Sequence, residues 1–400
     1  MTLDRNRAAI EQVVDAGLLS GAVTLVWHRG NVVQVNEIGH RDVGTRAPMQ
    51  RDTIFRIASM TKPVTVAAAM TLVEEGRLAL TDPVTEYLPE LSDMRVLDEP
   101  GGELDRTHPA QRAITVDDLM THRSGLAYFF SVPGPLARAY GRISARQDPA
   151  AWLAEVAELP LHHQPGEKMT YSVATDVLGI LVERLTGATL HDVLVERILK
   201  PLGMADTGFY VSPQARGRVA TMYRLDGDTL RDDAMGPPAV KPPRFCMGGA
   251  NLYSTADDYL RFARMLLGGG EVDGVRVLTP DSVTAMRTDR LTADQKRHPF
   301  LGMPFWVGRG FGLNLSVVTD PVQAQRLFGP GGRGTFGWPG AYGTWWQADP
   351  ENDLILLYLV QNMPNFGADA AAAIAGNTSL LRLQAAQPKF VRRTYAELVG

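Results

Sequence analysis

The two ends of the chain carry the apolar runs and short polar turns that are typical of β-hairpins. After a helical pattern over residues 5–17, two apolar runs at 22–27 and 32–38 flank a turn signal. Near the other end, residues 343–348 and 354–361 flank a turn of aspartate, proline, glutamate and asparagine. Apolar, β-rich runs on either side of such turns predict paired strands. We therefore expect sheet strands at both ends of the sequence.

The middle of the chain carries helical patterns and loops rich in proline and glycine. A helix predicted over residues 59–75 is almost wholly apolar after its first turn, as expected of a helix that is buried on all sides. A capping-box spacing that starts at Thr115 marks another helix, and residues 171–185 form an amphipathic helical stretch. Further helical patterns follow at 256–267 and 367–385.

Strands at the ends and helices in the middle predict an α/β (α+β) fold, with an antiparallel sheet flanked by helices plus an inserted, mostly helical domain. Residues 1–80 and 241–400 would build the α/β domain from both termini, and residues 81–240 would build the helical domain. A chain of 400 residues is long enough for roughly two domains. We expect the active site to lie between them.

The composition is that of an ordinary globular protein in water, and it argues against several partners. The chain is 45% hydrophobic and 21% charged, with a formal net charge of −4. It has no basic stripe, so we do not expect nucleic acid as a partner. Apolar runs such as 354–360 are too short to cross a bilayer, and the N-terminal residues lack a secretory pattern. We expect a cytoplasmic protein without membrane contact, and the sequence leaves the oligomeric state open.

The residues that would bind a metal or supply a thiol nucleophile are sparse. Cys246 is the single cysteine, which excludes an intramolecular disulfide, and its apolar neighbours favour a packing role. No His-x-x-x-His spacing occurs, and His122 lies in a turn where we expect a structural role. The Gly-x-Ser-x-Gly elbow of Ser-His-Asp hydrolases does not occur in the sequence either. We expect no metal and no organic cofactor.

Ser59 and Lys62 are the first candidates for chemistry. Residues three apart share a face of a helix, so the hydroxyl and the amine can meet at the start of the predicted helix. A serine hydroxyl is a weak nucleophile until a neighbour takes its proton, and a lysine can do so only where burial or nearby charge shifts its titration. A helix-capping serine beside a surface lysine is the alternative. The apolar surroundings favour catalysis.

Tyr171 and a loop at residues 337–343 add two more candidates. Tyr171 follows a Pro-Gly turn and begins a predicted helix, and next to a cationic lysine its phenolate becomes accessible as a proton acceptor. The loop reads Gly-Trp-Pro-Gly-Ala-Tyr-Gly and precedes a strand. An edge strand here would aim a backbone N–H at an oxyanion. Taken alone, the tyrosine could be a rim residue and the loop a simple turn.

Several segments match a known arrangement in the same order. Residues 55–63 (Phe-Arg-Ile-Ala-Ser-Met-Thr-Lys-Pro) are similar to a nucleophile motif, and residues 76–84 to the segment that follows it. Residues 119–126 are similar to Leu-Leu-Thr-His-Thr-Ser-Gly-Leu, residues 171–173 to Tyr-x-Asn or Tyr-Ser-x, and residues 248–258 to Gly-Gly-x-x-x-Ser-Thr-Ala-x-Asp. The chain therefore resembles the serine β-lactamase and penicillin-binding-protein superfamily. It is most similar to the class C β-lactamase-like carboxylesterases of family VIII.

The resemblance implies roles for individual residues. Ser59 would be acylated, and Lys62 and Tyr171 would form its proton-transfer pair. The backbone N–H groups of Ser59 and Ala341 would form the oxyanion hole. These roles define a serine hydrolase that works through an acyl-enzyme.

Departures from the superfamily pattern shift the expected substrate. β-Lactamases of this superfamily carry Lys-Thr-Gly on the strand beside the nucleophile, whereas this chain has Trp338, Pro339 and Gly340. An indole thus replaces a cation that helps to hold a substrate carboxylate. Val173 replaces the asparagine of Tyr-x-Asn, which removes an amide able to bind an acylamino group. Pro339 also differs from the usual Trp-Gly-Gly of family VIII and removes one backbone donor.

We therefore expect a serine carboxylesterase that hydrolyses short-chain, neutral, small-molecule esters. The residues predicted to contact the substrate are Trp338, Gly340, Val173, Tyr128 and Phe129. Three alternatives stay open: β-lactamase or D-alanyl peptidase activity, acyl transfer to an alcohol or amine, and a binding protein that kept the fold without turnover.

Overall fold

The structure is a computed structural model that describes residues 3–233, 235–364 and 376–400. Its strands are β1 Gly21–His28, β2 Asn31–Asp42, β3 Ala47–Pro48, β4 Phe55–Arg56, β5 Arg95–Leu97, β6 Thr107–Pro109, β7 Tyr223–Asp226, β8 Thr229–Asp232, β9 Tyr253–Ser254, β10 Glu271–Val272, β11 Val275–Arg276, β12 Arg309–Phe311, β13 Ser316–Val318, β14 Phe336–Gly337, β15 Trp345–Asp349 and β16 Leu354–Leu359.

Its α-helices are α1 Asp4–Val14, α2 Thr61–Glu74, α3 Val116–Met120, α4 Gly134–Tyr140, α5 Pro149–Ala157, α6 Ala174–Thr186, α7 Leu190–Leu194, α8 Ala256–Leu267, α9 Pro280–Arg287, α10 Ala293–Lys296, α11 Pro321–Phe328 and α12 Thr378–Leu398. Short 3-10 segments cover Ala58–Met60, Val84–Glu86, Pro89–Leu91 and Arg216–Arg218, and a π-helical segment, Val195–Leu199, continues α7.

Eight strands form one antiparallel sheet in the order β12-β13-β14-β15-β16-β1-β2-β3. The strands come from residues 21–48 and 309–359, so both ends of the chain contribute. The two ends meet where β1 pairs with β16, with Val26 opposite Leu356. The predicted antiparallel sheet and both predicted hairpins are confirmed.

Helices cover the sheet on both faces, which explains why β16 is apolar at every position. Leu354, Leu356 and Tyr358 pack in one cluster with residues of α1 and α12. Ile355 and Leu357 pack on the opposite face, in the large core that contains α2 and α8. Successive residues of a strand point to opposite faces, so a strand between two helical layers needs apolar residues throughout.

Helix α2 is the buried helix that follows the candidate nucleophile. It begins at Thr61 after the 3-10 turn Ala58–Met60, and its residues 61–72 are all buried. Gly76, with a φ of 67°, lets the chain turn away just after the helix end. The prediction of a helix buried on all sides is confirmed, and its α-helical part starts two residues after Ser59.

Tyr171 lies before helix α6 and does not begin it, so the predicted helix start at 171 is wrong. The helix starts at Ala174, and Tyr171 and Ser172 precede it outside any helix or strand. The Ser172 hydroxyl accepts a hydrogen bond from the Ala174 N–H at 3.3 Å. A serine side chain that accepts a hydrogen bond from the backbone two residues later competes with helix formation at its own position. Such a serine is therefore found just before a helix more often than inside one.

The first and last helices differ from the predicted ranges. Helix α1 ends at Val14, not at residue 17, and Gly17 follows with a φ of 70°. The closing helix predicted over 367–385 lies partly outside the described residues, and the described helix α12 starts later, at Thr378. The Asn377 side chain caps α12 by accepting a hydrogen bond from the N–H of Leu380 at 2.8 Å.

The middle of the chain is helical, as α3 to α7 show. The division into two domains with boundaries at residues 80 and 240 stays a prediction. Across the described ranges, every helix is too short or too polar to span a bilayer. The cytoplasmic location also stays a prediction.

Candidate active site

Ser59 lies at a sharp turn between a short strand and a buried helix. Strand β4 pairs with β9, which fixes the segment that leads into the turn. Ala58 then adopts a φ of 45°, a left-handed conformation that costs a non-glycine residue about 1–3 kcal/mol. Ser59 is partly exposed, whereas its neighbours Ala58 and Met60 are buried. The turn thus presents the hydroxyl at the N-terminal end of α2, where the helix dipole favours negative charge.

Lys62 directs its ammonium group at Ser59. Its Nζ donates a hydrogen bond to the Ser59 Oγ at 3.1 Å and a second one to the Gly249 carbonyl at 2.7 Å. The side chain is 0% exposed. A buried lysine needs partners that replace water, and here one of those partners is the candidate nucleophile. The spacing of three residues therefore produces the contact that the sequence predicted.

Tyr171 lies beside the Lys62 ammonium. The Lys62 Nζ is 4.7 Å from the centroid of the Tyr171 ring. The Tyr171 hydroxyl accepts a hydrogen bond from the indole N–H of Trp338 at 3.0 Å. An N–H donor and a nearby cation both stabilise negative charge on a phenol oxygen. The structure thus brings Ser59, Lys62, Tyr171 and Trp338 into one cluster.

An aromatic cluster surrounds Tyr171 and Trp338, and the sequence analysis identified only part of it. Trp338 is 2% exposed, and its ring lies 5.0 Å from Phe311 and 5.7 Å from Phe300, centroid to centroid. Phe300 also contacts Tyr171 at 5.6 Å. The other members of the cluster are Met169, Leu291, Trp306, Tyr128, Phe130 and Phe305. These side chains form an apolar wall beside the candidate proton-transfer pair.

The glycine-rich loop after β14 does not belong to an edge strand, so that prediction is wrong. Strand β14 pairs with β13 on one side and with β15 on the other. The chain leaves the sheet after Gly337 and returns at Trp345. A two-residue strand carries too little pattern for a sequence to reveal its neighbours.

The loop is instead fixed against the segment that precedes Ser59. The Thr344 hydroxyl donates a hydrogen bond to the Ile57 carbonyl at 3.2 Å, and the Gly340 N–H donates to the Thr344 carbonyl at 2.7 Å. Ala341, the predicted second oxyanion donor, is exposed and follows Gly340 directly. The contacts hold the loop close to the nucleophile turn, and the oxyanion role of Ser59 and Ala341 stays a prediction.

Gly340→Ala should lower kcat for an ester substrate by about ten- to a hundredfold, because it would displace the loop that carries Ala341, the predicted oxyanion donor. A Cβ at position 340 would lie 2.1 Å from the Thr344 Oγ1 and 2.3 Å from the Ile57 carbonyl oxygen. Gly217→Ala is the matched control, since a Cβ there meets nothing within 4 Å. Steady-state kinetics of the two variants make the comparison, and a wild-type kcat for Gly340→Ala would contradict the assigned role of the loop.

The three other predicted substrate residues lie in different environments. Tyr128 is partly buried, with its ring centroid 5.2 Å from the Lys62 Nζ. Phe129 is 49% exposed and packs edge-on against Phe130 at 5.1 Å. Val173 is buried in the main core at the start of α6. Substrate contact by these residues stays a prediction.

Sequence analysis assigned no role to Asp176 or to Gly249, although both belong to the site. The Gly249 N–H donates a hydrogen bond to the Asp176 carboxylate at 2.8 Å, and the Tyr128 hydroxyl donates to the same carboxylate at 3.3 Å. Asp176 is fully buried, and desolvation raises its pKa. The sequence did contain a signal for Gly249, because it lies in segment 248–258, which is similar to a motif of the family. Nothing in the sequence pointed to Asp176.

His122 has the structural position that the sequence predicted. It is buried, with its Nε2 2.8 Å from the Asn314 Oδ1 and its Nδ1 3.1 Å from the Ser172 Oγ. Burial, and then the charge of Lys62, lower the pKa of His122 well below its ordinary value. Both ring nitrogens are engaged, so a neutral His122 links Asn314 to Ser172, the residue that follows Tyr171.

Thiol and metal chemistry find no support in the described part of the chain. Burial raises the pKa of Cys246 to about 12, so its sulfur stays a thiol and a poor nucleophile. In residues 3–233, 235–364 and 376–400, no three histidine, cysteine or acidic side chains come together as a metal site would require. Ser59, Lys62 and Tyr171 stay the candidates for the chemistry of the site.

The antiparallel sheet between helical layers and the Ser-Lys-Tyr cluster define a class of protein, the serine hydrolases with a β-lactamase-like fold. The chain belongs to the Beta-lactamase family, whose family model matches residues 6–378.

Relatives of the chain include a protein without a stated activity and two esterase-type enzymes. Protein Rv1367c of Mycobacterium tuberculosis is 67% identical over 399 residues, which cover 100% of both chains. Esterase EstB of Burkholderia gladioli is 31% identical over 377 residues, which cover 88% of this chain and 88% of EstB. Among solved structures, EstCE1, a hydrolase with promiscuous acyltransferase activity, has a TM-score of 0.77 at 26% identity and covers 96% of this chain and 98% of its own.

Proposed function

We propose that this protein is a serine carboxylesterase of the family VIII type, which hydrolyses short-chain, neutral esters through an acyl-enzyme on Ser59. The observation that carries the proposal is the hydrogen bond of 3.1 Å between the buried Lys62 ammonium and the Ser59 hydroxyl. A serine in contact with a buried lysine, with a tyrosine beside that lysine, is an arrangement that can activate a nucleophile without histidine.

The chemical steps follow from the positions of the side chains. The pair acts once it has lost one proton, either as a phenolate beside an ammonium or as a phenol beside a neutral amine. The Ser59 Oγ then attacks the ester carbonyl carbon, and its proton passes to the Tyr171 and Lys62 pair. The oxyanion accepts hydrogen bonds from the backbone N–H groups of Ser59 and Ala341. Collapse of this intermediate breaks the bond to the alcohol, which leaves with the proton from the same pair. Water then attacks the acyl group, and the carboxylic acid leaves as Ser59 regains its proton.

The preference for neutral esters rests on the surroundings of Trp338. Its indole N–H is already bonded to the Tyr171 hydroxyl, and its ring packs against Phe311 and Phe300. This position holds a buried indole where the superfamily's β-lactamases have a lysine. An anionic substrate would lose a charged partner here, whereas a neutral ester needs none. The esterase relative EstB is in line with this preference.

A substrate panel tests the proposal. The purified full-length protein is assayed with p-nitrophenyl esters of increasing acyl length and with nitrocefin. We expect kcat/KM for the acetate or butyrate ester to exceed that for nitrocefin by at least about a hundredfold, since a missing charged hydrogen bond costs on the order of 3 kcal/mol. Comparable turnover of nitrocefin would favour a β-lactamase, and a preference for long acyl chains would contradict the short-chain assignment.

Acyl transfer is a second candidate, because the apolar wall around Tyr171 would shield an acyl-enzyme from water and accommodate an alcohol. EstCE1 combines hydrolase and acyltransferase activity. Product analysis with an added alcohol separates the two outcomes, since transfer yields a new ester and hydrolysis yields the free acid. A fluorophosphonate probe tests the non-catalytic alternative, which predicts that Ser59 is not labelled.

A further inference from the structure

The charge of Lys62 has a buried counterpart that the proposed steps do not use. Asp176 lies in the first turn of α6, and its side chain is 0% exposed. Lys62 is equally buried. The two charges do not form a direct ion pair. A buried charge without compensation is costly, so the two groups must be considered together.

Gly249 connects the two charges through its backbone. Its N–H donates to the Asp176 Oδ1 at 2.8 Å, and its carbonyl accepts from the Lys62 Nζ at 2.7 Å. A Cβ on this residue would lie 2.8 Å from one carboxylate oxygen and 2.9 Å from the other, and 2.9 Å from the Tyr128 hydroxyl. A side chain at position 249 would therefore displace the Asp176 carboxylate or the Tyr128 hydroxyl, and glycine lets the carboxylate lie against the peptide that binds the lysine.

The groups around Asp176 favour its ionised form. The Gly249 N–H and the Tyr128 O–H both donate to the carboxylate. Burial and the nearby carboxylate raise the pKa of Tyr128 well above its ordinary value, so the phenol keeps the proton that it donates. The first turn of a helix also stabilises an anion. Burial raises the pKa of Asp176, whereas the charge of Lys62, the Gly249 N–H and the Tyr128 O–H act against this rise, and on the strength of these three partners we take Asp176 to be ionised.

We infer that Asp176 is a positioning residue that sets the charge balance of the Lys62 and Tyr171 pair through Gly249. This inference rests on the proposed esterase function and deepens it. The negative charge of Asp176 makes it harder for the Lys62 and Tyr171 pair to lose a proton. It therefore sets the pH above which the pair has lost that proton and can accept the one from the Ser59 hydroxyl. The titratable groups that face this centre are Lys62, Tyr128, Tyr171 and His122. His122 is neutral, and its ring centroid lies 4.8 Å from that of Tyr171.

The sign of the effect follows from electrostatics. A negative charge makes it harder for neighbouring groups to lose a proton, so its removal moves their deprotonation to lower pH. Asp176→Asn keeps an oxygen acceptor for the Gly249 N–H and removes the charge. We expect the acidic limb of the kcat/KM profile for p-nitrophenyl acetate to move by about one pH unit or more to lower pH. A role in packing alone would lower the rate or the stability without moving the limb.

The experiment compares neutral variants with a matched control. Asp176→Asn and the smaller Asp176→Ser are measured beside Asp281→Asn, which changes an exposed aspartate in the first turn of α9. We expect both Asp176 variants to shift the limb and the control to keep the wild-type profile. The inference is overturned if a folded Asp176 variant keeps the acidic limb of the kcat/KM profile where the wild type has it. It is also overturned if that limb moves to higher pH. Failure of both variants to fold would also overturn it, because the carboxylate would then be structural.

The rate at which a fluorophosphonate labels Ser59 across the same pH range separates this inference from the proposed function. Labelling needs the activated serine but does not depend on ester turnover. If the wild-type protein is neither labelled at Ser59 nor active on esters, the proposed function fails. If the wild-type protein is labelled and Asp176→Asn keeps the same pH dependence of labelling, the function stands and the assignment of Asp176 fails.

Discussion

Ser59→Ala should reduce kcat for p-nitrophenyl acetate by at least about ten-thousandfold, the scale that loss of a serine nucleophile reaches in other hydrolases. The Ser59 Oγ accepts a hydrogen bond from Lys62 at 3.1 Å, and Ser59 is partly exposed in the turn before α2. Alanine removes this atom and leaves no group that can form the acyl-enzyme. Steady-state kinetics and mass spectrometry after a short incubation with substrate measure the loss of turnover and of the acyl adduct.

The fold should survive the change. The Ser59 hydroxyl makes its side-chain hydrogen bond with Lys62, and its loss should change the free energy of unfolding by only about 1 kcal/mol. Ser144→Ala, in an exposed loop, is the control that should keep full activity. Retention of wild-type turnover by Ser59→Ala would show that the nucleophile has been assigned wrongly.

Contacts between residues close in sequence were predictable. Ser59 and Lys62 are three residues apart, so helix geometry alone brings their side chains together. The paired strands β15 and β16 flank a short polar turn, so their pairing was equally local. Turn signals in the sequence singled out Tyr171 and the loop at Trp338, and the resemblance to a known family then gave them their roles.

Contacts between distant residues could not be predicted in the same way. Asp176 meets Gly249 73 positions away, and His122 meets Asn314 192 positions away. No periodicity relates such residues, because tertiary packing alone decides which side chains become neighbours. The error about the loop at Trp338 has the same origin, since the partners β13 and β15 determine whether β14 is an edge.

Lys62→Met should lower kcat by about a thousandfold, the loss that follows removal of a group needed for proton transfer. Methionine fills nearly the same volume as the lysine stem but cannot hold or relay a proton. The variant should therefore resemble Ser59→Ala in turnover while it keeps the serine. Lys241→Met, which changes an exposed lysine, is the control and should keep the wild-type kcat.

The stability of Lys62→Met should distinguish it from Ser59→Ala. The substitution leaves Asp176 as a buried anion without a cation nearby, and removal of one partner from a buried charge pair costs about 3 kcal/mol. The double variant Lys62→Met/Asp176→Asn removes both charges, so it should recover most of this loss without recovering activity. Urea denaturation of the two single variants and the double variant measures the coupling. If the double variant is no more stable than Lys62→Met, the two charges do not compensate each other, and the buried lysine is stabilised by Gly249 and Ser59 alone.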